Sequence, residues 1–261
     1  MTDYKSIFEK AEKTLRQQSW FSDTDFDHQY GRFKKFENRK RSDQELFEML
    51  TMIVFYSGFR ASTIESKEKI ILRHLSDIDT VSQYTEKQLQ NILADPEMIK
   101  NESKINACRA NAKTFKNIVD KYGSFQNYLD SFDAKSSFDN LVLLKEELEF
   151  RFDYLGETTV YHFLTDVGFN VLKPDRVILR IFKRIGIIES EKQLLKTVVQ
   201  GRQFANATAQ PIRYIDIIFV KYGQKGESEM FGLKNGICLD KNPNCKVCGL
   251  TDYCEYFKRK N

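Results

Sequence analysis

The chain has few of the residues that interrupt secondary structure, since its 261 residues include four prolines and twelve glycines. This scarcity argues against a disordered or loop-rich protein. No stretch of about 18 consecutive apolar residues is present, and the first residues (MTDYKSIFEKAEK) are charged, which predicts neither a membrane span nor a signal peptide. The histidines His28 and His74 show no metal-ligand spacing. We therefore expect a soluble protein of a reducing intracellular compartment.

A large excess of one charge is also missing. The 41 Lys and Arg residues against 37 Asp and Glu residues give a formal net charge of +4. The basic residues nevertheless cluster, in runs within 32–41, 176–184 and 258–260. A single run is more typical of a solvated face, but three runs, together with the cysteine-rich loop described next, favour a polyanion as partner. The modest net charge therefore leaves DNA open as a partner.

Five cysteines do not indicate a disulfide framework, because a chain of this length can bury a core without one. Four of them lie within 17 positions and have the spacing C-x6-C-x2-C-x5-C, namely Cys238, Cys245, Cys248 and Cys254. The segment is too short and polar to bury four thiols as ordinary core residues. Four converging thiolates can enclose one metal centre, either a tetrahedral Zn2+ or a cubane iron–sulfur cluster. The fifth cysteine, Cys108, lies among helical positions and is predicted to be buried and inert.

Helical periodicity dominates the remaining sequence, and no β-type alternation is sustained. The clearest helix begins at Ser42 or Asp43, either of which can cap it, and Gly58 is a suitable stop. In chain order, the predicted helices are Asp43–Phe59, Lys67–Leu75, Thr85–Leu93, Lys104–Tyr122, Ser124–Phe132, Leu141–Phe150, Thr158–Val167, Asp175–Ile185, Glu191–Phe204 and Ile212–Tyr222. The sequence therefore predicts an all-α protein with a small metal-bound loop near its C-terminus.

A glycine-containing turn at 154–157 (YLGE) links two of the predicted helices, and the second of them begins near Thr158. Taken alone, this pattern fits a simple helix–helix turn. The N–H groups at the start of the second helix are, however, also a natural seat for a phosphate. Further along, Asp175 lies at the start of a predicted helix, where it is a good N-cap. A carboxylate in that position is fixed in place, as a reacting group must be.

The segment 173–186 (KPDRVILRIFKRIG) resembles the "vDxHvxRvxxRlG" segment of the helix-hairpin-helix DNA glycosylase superfamily. The spacing of the four clustered cysteines resembles the [4Fe-4S] loop of the endonuclease III and MutY group within it. The resemblance implies an all-α, two-lobed fold with a [4Fe-4S] cluster loop at 238–254, zinc being the alternative. It also implies a six-helix-type central domain at 42–155 that ends at the hairpin. The second lobe would then combine 1–41 with 156–261.

The central part has a second, narrower resemblance. Its segment 93–115 (LADPEMIKNESKINACRANAKTF), with shorter matches on either side, looks like the 3-methyladenine DNA glycosylase I (Tag) family. Two chemistry-bearing positions depart from that family, because its acidic residue in the first long helix falls on Ile53 and its pocket tryptophan falls on Ala61. The zinc ligands of that family have no clear equivalents here. The resemblance therefore supports the scaffold more strongly than the substrate.

Together these resemblances imply a DNA glycosylase of base excision repair, which hydrolyses the N-glycosidic bond of a damaged base. Asp175 falls on the catalytic aspartate of the superfamily, where it would stabilise an oxocarbenium-like sugar and orient water. Thr158, or Thr159 with a one-residue shift, occupies the position of the nucleophilic lysine of strand-cleaving members, so a monofunctional enzyme without lyase activity is expected. An alkylated purine, 3-methyladenine or 7-methylguanine, is the expected substrate. The alternatives are a MutY-like adenine glycosylase, a thymine or uracil mismatch glycosylase, and a non-catalytic protein that binds damaged DNA.

The resemblance also predicts the contacts with DNA. Phe59 falls on the intercalating residue that fills the gap left by an extruded nucleotide, with core packing as the alternative. Further predicted DNA contacts are Arg60, Leu155, Gly156, Thr158, Lys173, Arg176, Lys241 and Lys246. Candidates for the base pocket, each with a structural role as the alternative, are Trp20, Tyr56, Tyr161 and His162. We expect a monomer that binds damaged double-stranded DNA, cytoplasmic and nucleoid-associated if the source is prokaryotic.

Overall fold

A computed structural model describes residues 2–35 and 40–259 of the chain. Within these ranges the regular structure is helical, and the β-type pairing described is one isolated bridge between Ser228 and Leu233. The all-α class predicted from the sequence is confirmed. The basic runs within 32–41 and 258–260 lie partly outside the described residues. None of the described helices is both long and apolar enough to span a bilayer.

The α-helices are numbered in chain order as α1 (Tyr4–Gln18), α2 (Asp23–Gly31), α3 (Asp43–Tyr56), α4 (Ala61–Glu65), α5 (Glu68–Leu75), α6 (Ile78–Ser82), α7 (Glu86–Ala94), α8 (Glu102–Tyr122), α9 (Phe125–Asp130), α10 (Phe138–Arg151), α11 (Thr159–Val167), α12 (Arg176–Arg184), α13 (Leu194–Thr208), α14 (Ile212–Gly223) and α15 (Glu255–Lys258). Short 3-10 turns occur at Arg32–Lys35, Glu229–Phe231 and Thr251–Tyr253. Each predicted helix is present, with ends displaced by a few residues. The sequence did not predict α1, α2, α4, α6 and α15.

Side-chain caps fix several helix starts and explain why those predictions held. Ser42 and Glu45 form a reciprocal capping box at the start of α3, and Thr85 and Gln88 form another at the start of α7. At the end of α8, Gly123 has a φ of 80°, the left-handed conformation that commonly ends a helix. Local chemistry thus determines where the long helices of the central segment begin and end.

The described residues form two compact units, one of residues 2–35 with 170–259 and the other of residues 40–169. They are called the terminal unit and the central unit below. The sequence placed the limits of the central domain at 42 and 155, immediately before Gly156. In the structure, α11 follows the hairpin and packs against α3 and α10 through its buried apolar residues, so residues 156–169 lie within the central unit.

The core of the terminal unit is built around aromatic side chains of α12, α13 and α14. The rings of Phe182, Phe204 and Phe219 contact one another, with centroids 4.9 to 5.4 Å apart. A Cβ atom at Gly201 would lie 1.9 Å from the side chain of Leu172, so only glycine permits this approach of α13. The segment that leads into α12 is therefore packed tightly against the core.

Candidate functional site

Asp175 lies at the start of α12, as predicted, and acts as its N-cap. Its Oδ1 atom accepts hydrogen bonds from the backbone N–H groups of Val177 at 2.9 Å and Ile178 at 3.0 Å. The carboxylate is half-buried and lies at the positive end of the helix dipole. These contacts orient the carboxylate without enclosing it. Its catalytic role remains a prediction.

A second carboxylate, Asp216 on α14, contacts the chain just before α12. The sequence analysis did not identify it. Asp216 is 2% exposed, its Oδ1 atom accepts the backbone N–H of Lys173 at 3.1 Å, and its Oδ2 atom accepts a bond from Arg213 at 2.7 Å. Burial, and to a smaller extent the charge of Asp175, raises the pKa of Asp216, while Arg213 opposes this. Asp216 therefore anchors the chain two residues before Asp175. The sequence feature that could have revealed Asp216 is a lone acidic residue within an apolar helix.

The basic residues of α12 have different roles in the structure. Arg176 and Lys183 are exposed, as DNA contacts would have to be. Arg180 instead donates to the carbonyls of Gly223 at 2.7 Å and Cys238 at 3.2 Å, and Arg184 donates to those of Leu239 at 2.6 Å and Asp240 at 2.9 Å. The run within 176–184, which the sequence analysis counted with two others in favour of a polyanion partner, is therefore only partly available for such a partner. Two of its arginines connect α12 to the cysteine loop.

The four clustered cysteines lie around one small cavity, which Arg184, Tyr256 and Phe257 also line. All four are free of disulfides. Three of their sulfur atoms have hydrogen-bond partners. Arg184 donates to Cys238 at 3.3 Å, and the backbone N–H of Phe257 donates to Cys254 at 3.3 Å. The Tyr222 hydroxyl and Cys248 share a hydrogen bond of 3.1 Å. Burial raises the pKa of the Cys238 and Cys248 thiols. In the part of the chain that the structure describes, no three His, Cys, Asp or Glu side chains are gathered closely enough to hold one metal ion.

The remaining predictions for the cysteines and the loop concern exposure. Lys241 and Lys246, predicted to face phosphates, are both exposed on the loop. Cys108 on α8 is 1% exposed, and burial raises its pKa to about 12. Such a thiol carries almost no thiolate at neutral pH, which agrees with the inert core role predicted for it.

In the central unit, the hairpin between α10 and α11 adopts a tight and well-bonded turn. Tyr154 has a φ of 65°, unusual for a residue other than glycine, and Thr159 Oγ1 closes the turn by donating to the carbonyls of Tyr154 at 2.6 Å and Gly156 at 3.2 Å. A Cβ atom at Gly156 would meet nothing within 4 Å, so the surface there is open. Leu155 is 1% exposed and anchors the turn in the core, so only its main chain can face DNA.

A buried side chain of α8 binds the main chain of the hairpin. Asn111, which is 2% exposed, donates to the carbonyl of Asp153 at 3.0 Å and accepts the N–H of Asp153 at 2.8 Å. Thr158 precedes α11 as its N-cap residue but makes no side-chain capping bond, and it is half-buried. The asparagine of the Tag-like segment thus supports the main chain of the hairpin.

The predicted wedge follows α3 directly. α3 ends at Tyr56, Gly58 turns the chain with a φ of 81°, and Phe59 follows with 38% of its surface exposed. The alternative in which Phe59 packs into the core is therefore wrong, because the helix ends three residues earlier than predicted. Arg60 is exposed at the start of α4. Both side chains are accessible for contact with a ligand.

A cleft of about 300 Å³ opens beside α3 in the central unit. Its lining combines apolar side chains with four carboxylates and consists of Arg41, Glu45, Glu48, Met49, Met52, Ile53, Tyr56, Glu68, Leu72 and Asp166. Burial, with smaller contributions from Glu65, Glu68 and Asp166, raises the pKa of Tyr56 to about 12. The Tyr56 hydroxyl is therefore protonated at neutral pH and can donate a hydrogen bond.

The four predicted pocket residues do not all meet in this cleft. His162 lies beside Tyr56, with ring centroids 5.7 Å apart, and pairs with Asp166 at 3.2 Å. Tyr161 is 5% exposed and does not line the cleft, because its side chain is on the buried side of α11. Trp20 belongs to the terminal unit, where it is 48% exposed, so its core alternative is wrong.

Comparison with known proteins shows what the chain is similar to. A family model described as methyladenine glycosylase matches residues 23–151. The 8-oxoguanine DNA glycosylase of Thermotoga maritima is 17% identical and has a TM-score of 0.53, with 81% of this chain and 95% of that chain covered. The 8-oxoguanine glycosylase/lyase of Methanocaldococcus jannaschii, in complex with a 15-mer DNA, is 19% identical and has a TM-score of 0.53, with 81% and 94% covered.

A third structure, 3-methyladenine DNA glycosylase I from Staphylococcus aureus, is 20% identical with a TM-score of 0.46, and the match covers 59% of this chain and 91% of that one. The family match and the shared fold confirm the predicted resemblance to the helix-hairpin-helix DNA glycosylase superfamily, with a Tag-like central part. At these identities, the solved structures establish the fold only.

Proposed function

We propose that this protein is a monofunctional DNA glycosylase that hydrolyses the N-glycosidic bond of an alkylated purine, 3-methyladenine or 7-methylguanine, in double-stranded DNA. The observation that carries the proposal is Asp175, a fixed and partly open carboxylate at the start of α12, in a chain that has the glycosylase fold. The family match over residues 23–151 supports the alkylated base as substrate.

Hydrolysis of a glycosidic bond passes through a sugar with oxocarbenium character. Asp175 would stabilise that positive charge and orient the attacking water, as a preorganised carboxylate can. The two N–H groups that bind its Oδ1 atom keep the carboxylate in one orientation before the substrate arrives. Because Thr158 occupies the position of a nucleophilic lysine, no amine attacks the sugar from that position, and the product is an abasic site with the strand intact.

The cleft beside α3 supports the preference for an alkylated purine. A 3-methyladenine or 7-methylguanine base in DNA carries a positive charge, and the cleft combines an apolar floor at Met52 and Ile53 with the carboxylates of Glu48, Glu68 and Asp166. Negative charge around a cationic base stabilises it, since opposite charges attract more strongly in a partly desolvated site. A cationic base is also a good leaving group, so Ile53 in place of an acid is tolerable for this reaction.

DNA would be bound by main-chain groups of the hairpin and by accessible side chains. In this proposal the hairpin main chain at Leu155, Gly156 and Thr158 receives a phosphate, and Phe59 enters the base stack while Arg60 contacts the orphaned base or a phosphate. Basic side chains would supply the sequence-independent part of the affinity, namely the exposed Arg176, Lys241 and Lys246 and the half-buried Lys173.

We further propose that Cys238, Cys245, Cys248 and Cys254 hold a [4Fe-4S] cluster. Four unbridged cysteines around one cavity, with hydrogen-bond partners at three of the sulfur atoms, suit thiolate ligands. Zinc held by the same four cysteines is the alternative. When bound, the cluster would supply folding free energy to the loop that Arg180 and Arg184 connect to α12.

The cofactor is tested by purifying the protein without oxygen. The expected result is a brown protein with broad absorbance near 400 nm and about four irons per chain. Cys245→Ser should lose the iron, whereas Cys108→Ser, at the buried cysteine outside the loop, should retain it. Colourless protein with stoichiometric zinc would overturn the cluster in favour of a zinc site.

The activity is tested with duplexes that each carry one lesion, comparing wild type with Asp175→Asn. Asparagine still caps a helix, so this variant removes the charge and keeps the fold. The panel holds a stable 3-methyladenine analogue, 7-methylguanine, hypoxanthine, uracil, mismatched thymine, 8-oxoguanine, and adenine opposite 8-oxoguanine. Asp77→Asn is the matched control, because Asp77 caps α6 with a bond of 2.8 Å from Thr80 in the central unit.

Abasic sites from alkylated purines with wild type and Asp77→Asn, and none with Asp175→Asn, would support the proposal. Strand breaks should then appear only after alkali. Excision of a neutral base alone would replace the alkylated substrate with the corresponding mismatch or oxidised-base substrate. Binding of damaged DNA without any excision would sink the enzyme assignment and leave a damage-binding protein.

A further inference from the structure

Two charged side chains are buried among the described residues, Asp216 at 2% and Lys104 at 3% exposure. Asp216 is paired with Arg213, whereas none of the ion pairs within the described ranges involves Lys104. Burying an ammonium group without a carboxylate costs free energy unless other groups replace its hydration. The neighbours of Lys104 therefore indicate what its charge does.

The first neighbours are main-chain carbonyls at the end of α3. Lys104 Nζ donates to the carbonyl of Ser57 at 2.7 Å and also to that of Val54. The last carbonyls of a helix lack partners within the helix, and a cation there also complements the helix dipole. Lys104 thus reaches from α8 to close the end of α3, immediately before the chain turns at Gly58 towards Phe59.

The second neighbours are two aromatic rings. The Lys104 ammonium lies 5.6 Å from the centroid of the Phe59 ring and 4.3 Å from that of the Tyr154 ring. Both distances fall within the range of cation–π attraction, which is stronger where water is excluded. Phe59 is the proposed wedge and Tyr154 belongs to the hairpin, so one buried charge contacts both of the loops proposed to meet DNA.

Asn111 adds a second connection along the same helix. It lies two turns after Lys104, on the same face of α8, and binds the main chain of Asp153 in the hairpin. α8 is 21 residues long and packs against α3, so both loops are held by one rigid element. Burial lowers the pKa of Lys104 to about 8, so most molecules carry the ammonium at pH 7.

We infer that Lys104 is a positioning residue that fixes the Phe59 loop relative to the hairpin, so that grip on the phosphates and insertion into the base stack occur together. This inference rests on the proposed function, because it takes Phe59 as the wedge. Lys104 contacts neither the reacting bond nor the base. Its effect should therefore appear in the extrusion step and not in cleavage of an extruded nucleotide.

The test compares Lys104→Met and Lys104→Arg with wild type on one excised lesion in two duplexes. In the first duplex the lesion is paired, and in the second it faces an abasic site, which reduces the cost of extrusion. Lys104→Met should lower the single-turnover excision rate on the paired duplex about ten-fold or more, because extrusion limits excision there. The loss on the second duplex should be clearly smaller. Lys104→Arg should recover part of the loss.

Lys100→Met is the matched control. Lys100 also donates to two main-chain carbonyls, those of Leu93 and Asp95, but it is exposed and contacts neither loop. This variant should leave both rates unchanged. Equal losses on the two duplexes with Lys104→Met, or no loss on either, would overturn the inference, because a general fault in folding does not distinguish the substrates.

Two further measurements keep the inference testable if the enzyme assignment or the methionine variant fails. Tyr154→Leu removes one ring without removing the charge and should show the same dependence on pairing. If wild type excises no lesion, 2-aminopurine paired with thymine in an intact duplex reports unstacking directly by fluorescence. An increase with wild type that Lys104→Arg reproduces and Lys104→Met lacks would support the positioning role independently of catalysis, and equal increases would refute it.

Discussion

Replacing Asp216 by asparagine should destabilise the terminal unit, because it leaves the guanidinium of Arg213, whose side chain is 15% exposed, opposite a neutral amide in the core. In the native protein Asp216 pairs with Arg213 at 2.7 Å and accepts the N–H of Lys173 at 3.1 Å. Asparagine has nearly the same volume and can still accept the backbone hydrogen bond. The substitution therefore removes the charge and little else.

The magnitude follows from the burial of the pair. Removing one partner of a buried ion pair costs about 3–5 kcal/mol, and the retained backbone hydrogen bond offsets roughly 1 kcal/mol of this. We therefore expect a fall of about 2–4 kcal/mol in the free energy of unfolding. For a chain of this size, 1 kcal/mol shifts Tm by about 2–4 °C, so the melting temperature should fall by roughly 5–15 °C.

Thermal and urea unfolding measure the loss, and a double-mutant cycle tests its cause. Arg213→Met and Asp216→Leu should each be costly alone, but the double variant should be more stable than the sum predicts by about 2 kcal/mol, because no buried charge is left unpaired. The exposed pair of Arg16 and Asp27, 2.6 Å apart, is the control, since Asp27→Asn should cost less than about 1 kcal/mol. Additive losses in the cycle would refute the reasoning.

Three other outcomes are expected. Asp95→Asn should destabilise the protein most at neutral pH, because His74 holds the pKa of Asp95 at about 2. A depressed pKa contributes stability above the usual value of 3.8, and this contribution disappears as the pH falls through about 2. Urea unfolding at pH 2, 4 and 7 should therefore show the stability difference between wild type and variant shrinking towards low pH. Phe59→Ala should reduce lesion extrusion, read by 2-aminopurine fluorescence, with a nearly unchanged Tm, and a large fall in Tm would contradict its exposed position. Gly201→Ala should lower Tm by several degrees, because its Cβ atom would overlap the Leu172 side chain; an unchanged Tm would mean that the segment before Asp175 adjusts without cost.

The sequence was informative where local chemistry determines structure. Ser42 with Glu45, and Gly123, marked helix ends that the structure retains. α1 was missed although Asp3 caps it, because its apolar residues are spread among many charged ones and it is stabilised by packing against α13 and α14. Helix packing of this kind depends on partners far away in the chain, and one sequence does not reveal them.

The candidate site divides in the same way. The position of Asp175 at a helix start follows from sequence, since an N-cap is a local property. The buried contacts of Asp216 and Lys104 join residues 43 and about 50 positions apart and required the fold. The arginines of α12 illustrate the opposite error, because a basic run suggested a DNA-facing surface while Arg180 and Arg184 bind carbonyls of the cysteine loop.

The Tag-like segment acquires a physical explanation from these contacts. Asp95 binds His74 and Arg73, Lys104 closes α3, and Asn111 supports the hairpin, so the recognisable residues of this segment hold loops in place. None of them lines the cleft beside α3. A match over this segment therefore indicates a shared scaffold. In the proposed function the substrate depends instead on the cleft, where Ile53 departs from the family and neighbouring carboxylates supply the negative charge. Comparing the excision of a cationic base with that of a neutral base is therefore the decisive experiment.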